Sequence, residues 1–289
     1  MASTFGSIGR FQVLGTLGKG AHSTILHIRR TADSKQYALK VVPIHTADEL
    51  KFLDQAEHEF QVAQKLDHPN LIKIYALESV RNWMFRVRKL HLLIEYVNGK
   101  TLDVMPPAPI SRLIQIFVRV AAGLAHMHRR GVCHADLKPN NIIVSRTGDV
   151  KIFDFGLARI KGESRGRVQG TPEYMAPEQA KRGIVNERTD IYNFGATMYR
   201  LATWRFAPAA VAEGSEFAMD AKMREHLLKP VSEYNAEAPA ELCEIIHRCL
   251  SYDPHKRPER VGEIHGILDQ LADKLVTSPE DRLEEWEWE

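Results

Sequence analysis

His134-Ala135-Asp136-Leu137-Lys138-Pro139-Asn140-Asn141 places an acid, a lysine and an amide within one Pro-stiffened stretch, and Asp154-Phe155-Gly156 adds a second acid 13 residues beyond Asn141. Between them lie two apolar runs, Ile142 to Val144 and Val150 to Phe153, that read as a strand pair. Two aspartates in polar loops are ordinarily turn formers. Phosphoryl transfer, however, calls for this set of groups: a carboxylate to accept the nucleophile's proton, a cation on the moving group, and oxygen ligands for Mg²⁺.

Upstream, Gly15, Gly18 and Gly20 in GTLGKGAHSTI lie between two predicted strands. Glycines there let backbone amides approach a phosphate closely, although a ligand-free hairpin turn reads the same way. Ser23 occupies the place of a third glycine, and because a strand follows, a dinucleotide-binding reading fails. Ala38-Leu39-Lys40 ends an apolar strand, and an inward lysine needs an anion to offset its desolvation. Glu59 is the expected partner, with Glu57 as the rival.

The first hundred residues are strand-rich, with runs at Phe11 to Leu14, Thr24 to Arg29, Tyr37 to Val42, Leu71 to Leu77 and Leu90 to Tyr96. One helix is expected from Ala47 to Leu66, with Leu50, Leu53, Phe60, Ala63 and Leu66 as its apolar stripe. Past Gly99 helices dominate: Ser111 to Arg130, ended by Gly131, then stretches near Asp190 to Thr203, Ala238 to Ser251 and Val261 to Val276. Arg81, Arg86, Arg88 and Lys89, interleaved with Trp83, Met84 and Phe85, read as a solvated hairpin, with partner docking as the alternative.

Composition bounds the function classes. In 289 residues, Lys+Arg 39 against Asp+Glu 37 leaves +2, too little to argue for nucleic acid binding. The longest apolar runs fall short of the roughly 20 residues of a membrane-spanning helix. The cysteines Cys133, Cys243 and Cys249 show no metal-binding spacing, which points to reduced thiols and a cytoplasmic chain. Residues 280–289 carry six acids, one arginine, Trp286 and Trp288, and read either as a solvated tail or as a segment that docks on a basic surface.

Taken in order, these motifs resemble the eukaryotic-type Ser/Thr protein kinases in their bacterial form. The resemblance runs from residue 10 to 275 and includes the HPN turn at His68 to Asn70, GTPEYMAPE from Gly170 to Glu178, Asp190, and Arg257 in DPHKRP. It implies an α+β, bilobal fold: a small β-rich N-lobe with one helix (1–97), a larger, mainly helical C-lobe (98–278) and an acidic tail (279–289). It further implies Mg²⁺ and ATP, and a protein substrate bearing a Ser or Thr acceptor. By the same resemblance Asp136 is the catalytic base, Lys138 steadies the γ-phosphate, Lys40 holds the α- and β-phosphates, Glu59 fixes Lys40, and Asn141 and Asp154 bind metal. The nucleotide would contact Leu17, Gly18, Lys19, Gly20, Ser23, Ile25, Ala38, Ile94, Glu95, Val97 and Ile143. Glu178 would pair with Arg257, and Lys138 and Thr171 would flank the acceptor hydroxyl.

Departures from the family pattern carry expectations of their own. Ala135 replaces the arginine that commonly receives an activation-loop phosphate, and Ser164 is the only hydroxyl between Leu157 and Gly170, with Arg167 where a phospho-threonine usually falls. Loop phosphorylation is therefore expected to be dispensable. Asn140 and Arg200 stand where acids often favour basic peptides, so no strong basic preference is expected. The alternatives are a nucleotide-binding scaffold without transfer and a small-molecule phosphotransferase.

Overall fold

The structure is a computed structural model that describes residues 6–20, 22–161, 169–182, 185–209 and 221–275. Ser164, Arg167 and the acidic tail lie outside the described residues. The chain divides into two compact units, residues 1–67 with 72–98 and residues 68–71 with 99–289, so the four residues around the HPN turn belong with the second unit.

The first unit is built on strands β1 (Ser7–Ile8), β2 (Phe11–Gly20), β3 (Ser23–Arg30), β4 (Gln36–Pro43), β5 (Ile74–Arg81) and β6 (Val87–Glu95), with one α-helix, α1 (Leu50–Ala63). The strands form an antiparallel sheet in the order β1-β2-β3-β4-β6-β5. Because side chains alternate across a sheet, register decides which residues share a face. Val13, Ile28 and Leu39 form a small core with Leu26, Tyr37, Val41 and Leu93 on one face. On the other, Gly18 pairs with Ile25, Ile25 with Lys40, and Ala38 with Ile94, so one face collects glycine, apolar residues and the lysine.

Helix α1 corrects the sequence expectation. It begins at Leu50 after a single 3-10 turn and ends at Ala63, and Leu50 is exposed rather than inward. Its buried face is Ala56, His58, Glu59, Val62 and Ala63, a stripe of small and polar residues that an apolar periodicity does not detect. Strand β2 also runs past the expected Leu14 to Gly20, with register shifts between Val13 and Gly15 and between Thr16 and Gly18. Bulges of this kind accommodate glycines within a ladder.

The second unit contains β7 (Gly99–Thr101), α2 (Ile110–Arg129), β8 (Val132–Cys133), β9 (Ile142–Ser145), β10 (Val150–Ile152), β11 (Arg159–Ile160), α3 (Pro177–Arg182), α4 (Glu187–Thr203), α5 (Ala221–Leu227), α6 (Val231–Tyr234), α7 (Ala240–Cys249) and α8 (Val261–Leu275). Helix α2 is long and apolar enough to cross a membrane, but its apolar face, including Ile114, Phe117, Val120 and Leu124, is buried in the unit's core. It stops where Gly131 takes φ +70, a left-handed conformation that glycine adopts without penalty. Strands β10, β9 and β7 form an antiparallel sheet, and at Gly99 a Cβ would lie 2.0 Å from the Val144 carbonyl oxygen, so only glycine lets β7 approach β9.

Candidate active site

The residues singled out by the sequence fall into two sets, one in each unit, and each set is coherent by itself. In the first unit the Lys40 Nζ donates to the Glu59 Oε2 at 2.6 Å. Strand β4 carries the lysine and α1 the carboxylate, whose side chain is 4% exposed, so the pair is well shielded from water. Ala56 and Ala63 flank Glu59 on the buried face and leave room for the lysine stem. Glu57 is only half-buried and is not the partner seen here. On the same sheet face Ala38 is buried and Ile25 and Ile94 are half-buried, while Leu17 at the glycine turn is exposed. The Ser23 hydroxyl lies 3.0 Å from where a Cβ on Gly20 would stand, so the serine fills the space beside that glycine. Glu95 ties β6 to the residue before β5 by exchanging backbone and side-chain hydrogen bonds with Lys73.

In the second unit the segment after β8 is pinned by Asp190 at the start of α4. Its carboxylate accepts the amides of His134 and Ala135, each at 2.8 Å, and the His128 Nε2 at 2.8 Å. Ala135 is held at φ +66, and Asp154 at φ +64; strain of this kind persists only where the surroundings over-determine the backbone. The buried His134 ring accepts the Asp136 amide at Nδ1 and meets the Phe153 carbonyl at Nε2, which makes Nε2 the protonated nitrogen. His128, Cys133 and Asp190 also lie close enough to suggest a metal. Asp190 already accepts three hydrogen bonds and with His128 forms a structural clamp on the segment, while burial pushes the neighbouring Cys133 thiol well above its ordinary range.

Asp136 stands at the centre. Its Oδ2 accepts from the Lys138 Nζ at 2.8 Å, and its Oδ1 accepts from the Thr171 amide and hydroxyl, each at 2.9 Å. The Lys138 ammonium also donates to the Thr171 Oγ1 at 2.6 Å. An alcohol is thus held between a carboxylate and an ammonium. Asn141 donates its Nδ2 to the Asp136 backbone carbonyl at 2.8 Å, and its Oδ1 accepts no hydrogen bond from the other described residues. The Phe153 amide binds the Asn141 carbonyl at 3.0 Å and so ties the start of β9 to the residue before Asp154. The half-buried Asp154 carboxylate takes no hydrogen bond from the other described residues. Two uncommitted oxygen donors, one amide and one carboxylate, are what a hard divalent cation requires, so these residues fit such an ion. Ile143 is half-buried on β9.

Further residues that the sequence reading did not single out hold this arrangement. The buried Gln179 on α3 donates to the Ala135 carbonyl at 2.7 Å and to the Gln169 carbonyl at 2.9 Å, tying the GTPEYMAPE segment to the one that carries Asp136. His128 is one of several polar residues on α2, beside His126 and Arg129 in its last turn, so nothing in sequence marks it, and nothing marks Gln179. The pair that the resemblance implies is present as well: Arg257 grips Glu178 through both terminal guanidinium nitrogens, at 2.7 and 2.9 Å.

Comparison with known proteins agrees with this geometry. The family model for the protein kinase domain matches residues 11–270. The chain belongs to the protein kinase family. A relative named as a probable serine/threonine-protein kinase of Streptomyces coelicolor is 29% identical over 92% of this chain and 40% of its own length. The serine/threonine-protein kinase PrkC of Bacillus subtilis is 27% identical, covering 94% of this chain and 43% of its own length. PknB of Mycobacterium leprae, also named a serine/threonine-protein kinase, is 28% identical over 90% of this chain and 42% of its own. The chain therefore spans less than half the length of these relatives, and its bacterial Ser/Thr type is the one the motifs resemble.

Proposed function

We propose that this chain is the catalytic part of a protein serine/threonine kinase that moves the γ-phosphoryl group of Mg-ATP to Ser or Thr hydroxyls. One observation carries the reading: the Thr171 hydroxyl lies 2.9 Å from the Asp136 carboxylate and 2.6 Å from the Lys138 ammonium. An acceptor alcohol in the same surroundings would lose its proton to Asp136, while Lys138 stabilises the charge on the phosphoryl group in transfer. Lys40, oriented by Glu59, would bind the nucleotide's α- and β-phosphates. Asn141 and Asp154 would hold the divalent ion, which offsets the developing negative charge when bound.

Ala135 presents a methyl group where a phosphate-binding cation would otherwise stand, so activity should not require loop phosphorylation. Ser164→Ala or phosphatase treatment that abolished turnover would refute this. Arg200 lies over the rings of Trp204 and Phe206, which favours acceptor sequences without strong upstream arginine preference; a peptide array dominated by upstream arginine would count against it. The described cysteines are all free, in keeping with a cytoplasmic, reducing setting.

The deciding experiment is transfer of radiolabel from ATP to a generic protein substrate. Asp136→Asn, Asp154→Asn and Lys40→Met should each lower incorporation by roughly 10² or more, since each removes a group that acts in the transition state. Incorporation equal to wild type in all three variants would defeat the enzyme reading, and label found only on a small metabolite would point to another phosphotransferase.

A further inference from the structure

The tip of the β5–β6 hairpin contributes no group to phosphoryl transfer, yet it is an unusual piece of surface. Val80 is 36%, Trp83 85%, Met84 46% and Phe85 81% exposed. Single exposed apolar side chains are ordinary, but large ones clustered at the end of one turn are not. Four of the turn's amides, those of Asn82, Met84, Phe85 and Arg86, are satisfied from within. The Asn82 side chain accepts the amides of Met84 and Arg86 at 3.1 and 3.0 Å, the Asn82 and Phe85 amides bond across the turn, and Arg81 donates to the Phe85 carbonyl at 3.0 Å. Phe85 sits at φ +59, which a bulky side chain rarely adopts. The shape that presents both rings to solvent is therefore held in place before any partner arrives. From Ser79 to Leu90 there is no acid, while Arg81, Arg86, Arg88 and Lys89 are all exposed.

We propose that this tip docks on an anionic lipid surface, with Trp83 and Phe85 entering the interfacial layer and the cations meeting the headgroups. Indole and phenyl rings favour that layer. With four of its amides already bonded within the turn, the tip has few polar backbone groups left to satisfy, and the hydrated interfacial layer can satisfy those. The unbroken positive charge complements anionic lipid. An acidic protein partner would share the charge argument, but aromatic anchors at protein interfaces fill pockets on the partner, whereas side chains that project this far need none in a bilayer.

The test is co-sedimentation of the full chain with vesicles of phosphatidylcholine, with and without phosphatidylserine, alongside tryptophan emission. The wild-type chain should bind only the anionic vesicles, with a blue-shifted emission. W83S/F85S should abolish binding, and R86Q/R88Q should lower the partition coefficient roughly thirtyfold, the conversion of two lost surface cations. Both variants should keep wild-type transfer to a soluble protein substrate, since neither touches the catalytic groups. Absence of wild-type binding to anionic vesicles, or undiminished binding by W83S/F85S, would overturn the proposal. So would a chain that ignores vesicles but shows a self-association, or a complex with an acidic protein, that W83S/F85S loses.

Discussion

Arg257 and Glu178 show how much a single pair holds. The Arg257 side chain is fully buried, and besides its two bonds to Glu178 it donates to the carbonyls of Ser251 and Arg188 at 2.8 and 2.9 Å. Arg257→Ala removes these bonds together and leaves the Glu178 carboxylate with the Thr189 hydroxyl but no cation, so it should lower the unfolding free energy in urea by about 3–5 kcal/mol. A loss under about 1 kcal/mol would mean that water replaces the pair. His247 makes the opposite case, because its buried Nε2 has no hydrogen-bond partner among the described residues and burial lowers its pKa below the usual 6.5. The unfolded chain then binds this proton more readily than the folded one, so the stability is present above 6.5 and is lost as pH falls through and below that value. His247→Phe should flatten the decline in melting temperature between about pH 7 and 5 relative to wild type. Parallel curves would remove His247 as the cause.

At the scale of elements, two helical glycines should respond in opposite directions. A Cβ on Gly266 of α8 meets nothing within 4 Å, so Gly266→Ala should stabilise by about 0.5–1 kcal/mol through helix propensity alone. A Cβ on Gly195 of α4 would lie 2.6 Å from the Cys249 Cβ on α7, so Gly195→Ala must push the two helices apart and should destabilise by about 1–3 kcal/mol. Denaturant midpoints of the two variants moving in the same direction would contradict this packing. The capping of α4 belongs to the same scale. The Asn186 side chain accepts the amides of Arg188 and Thr189 while the Thr189 hydroxyl takes the Asn186 amide, which fixes where the helix begins and hence where Asp190 meets the segment before Asp136.

For the whole molecule, the test is linkage between ligand and stability. A nucleotide with Mg²⁺ that binds only the folded chain should stabilise it by about 2.7 kcal/mol at a hundredfold excess over Kd. The melting temperature should therefore rise with Mg-ATP, and EDTA should remove most of the rise. Asp154→Asn should reduce the metal-dependent part, whereas Lys40→Met should weaken the nucleotide response whether or not metal is added. A melting temperature indifferent to millimolar Mg-ATP would remove the nucleotide from the account.

Sequence alone determined the family, the strand-rich and helix-rich halves, and the candidate residues that the structure brings together around Asp136, because polar side chains in short loops are spaced by local chain geometry. Glu59 was legible for the same kind of reason, since a lysine on a buried strand demands an anion. The inward face of α1 was not, because Ala56, Glu59 and Val62 carry too little apolar contrast to reveal it. Tertiary structure alone decided that Gln179 and Asp190, 44 and 56 residues from the groups they hold, converge on the backbone before Asp136, and that His128 braces Asp190 from 62 residues away. Such hydrogen bonds satisfy buried polar groups whose partners are distant in sequence, and no periodicity or spacing encodes a contact of that kind.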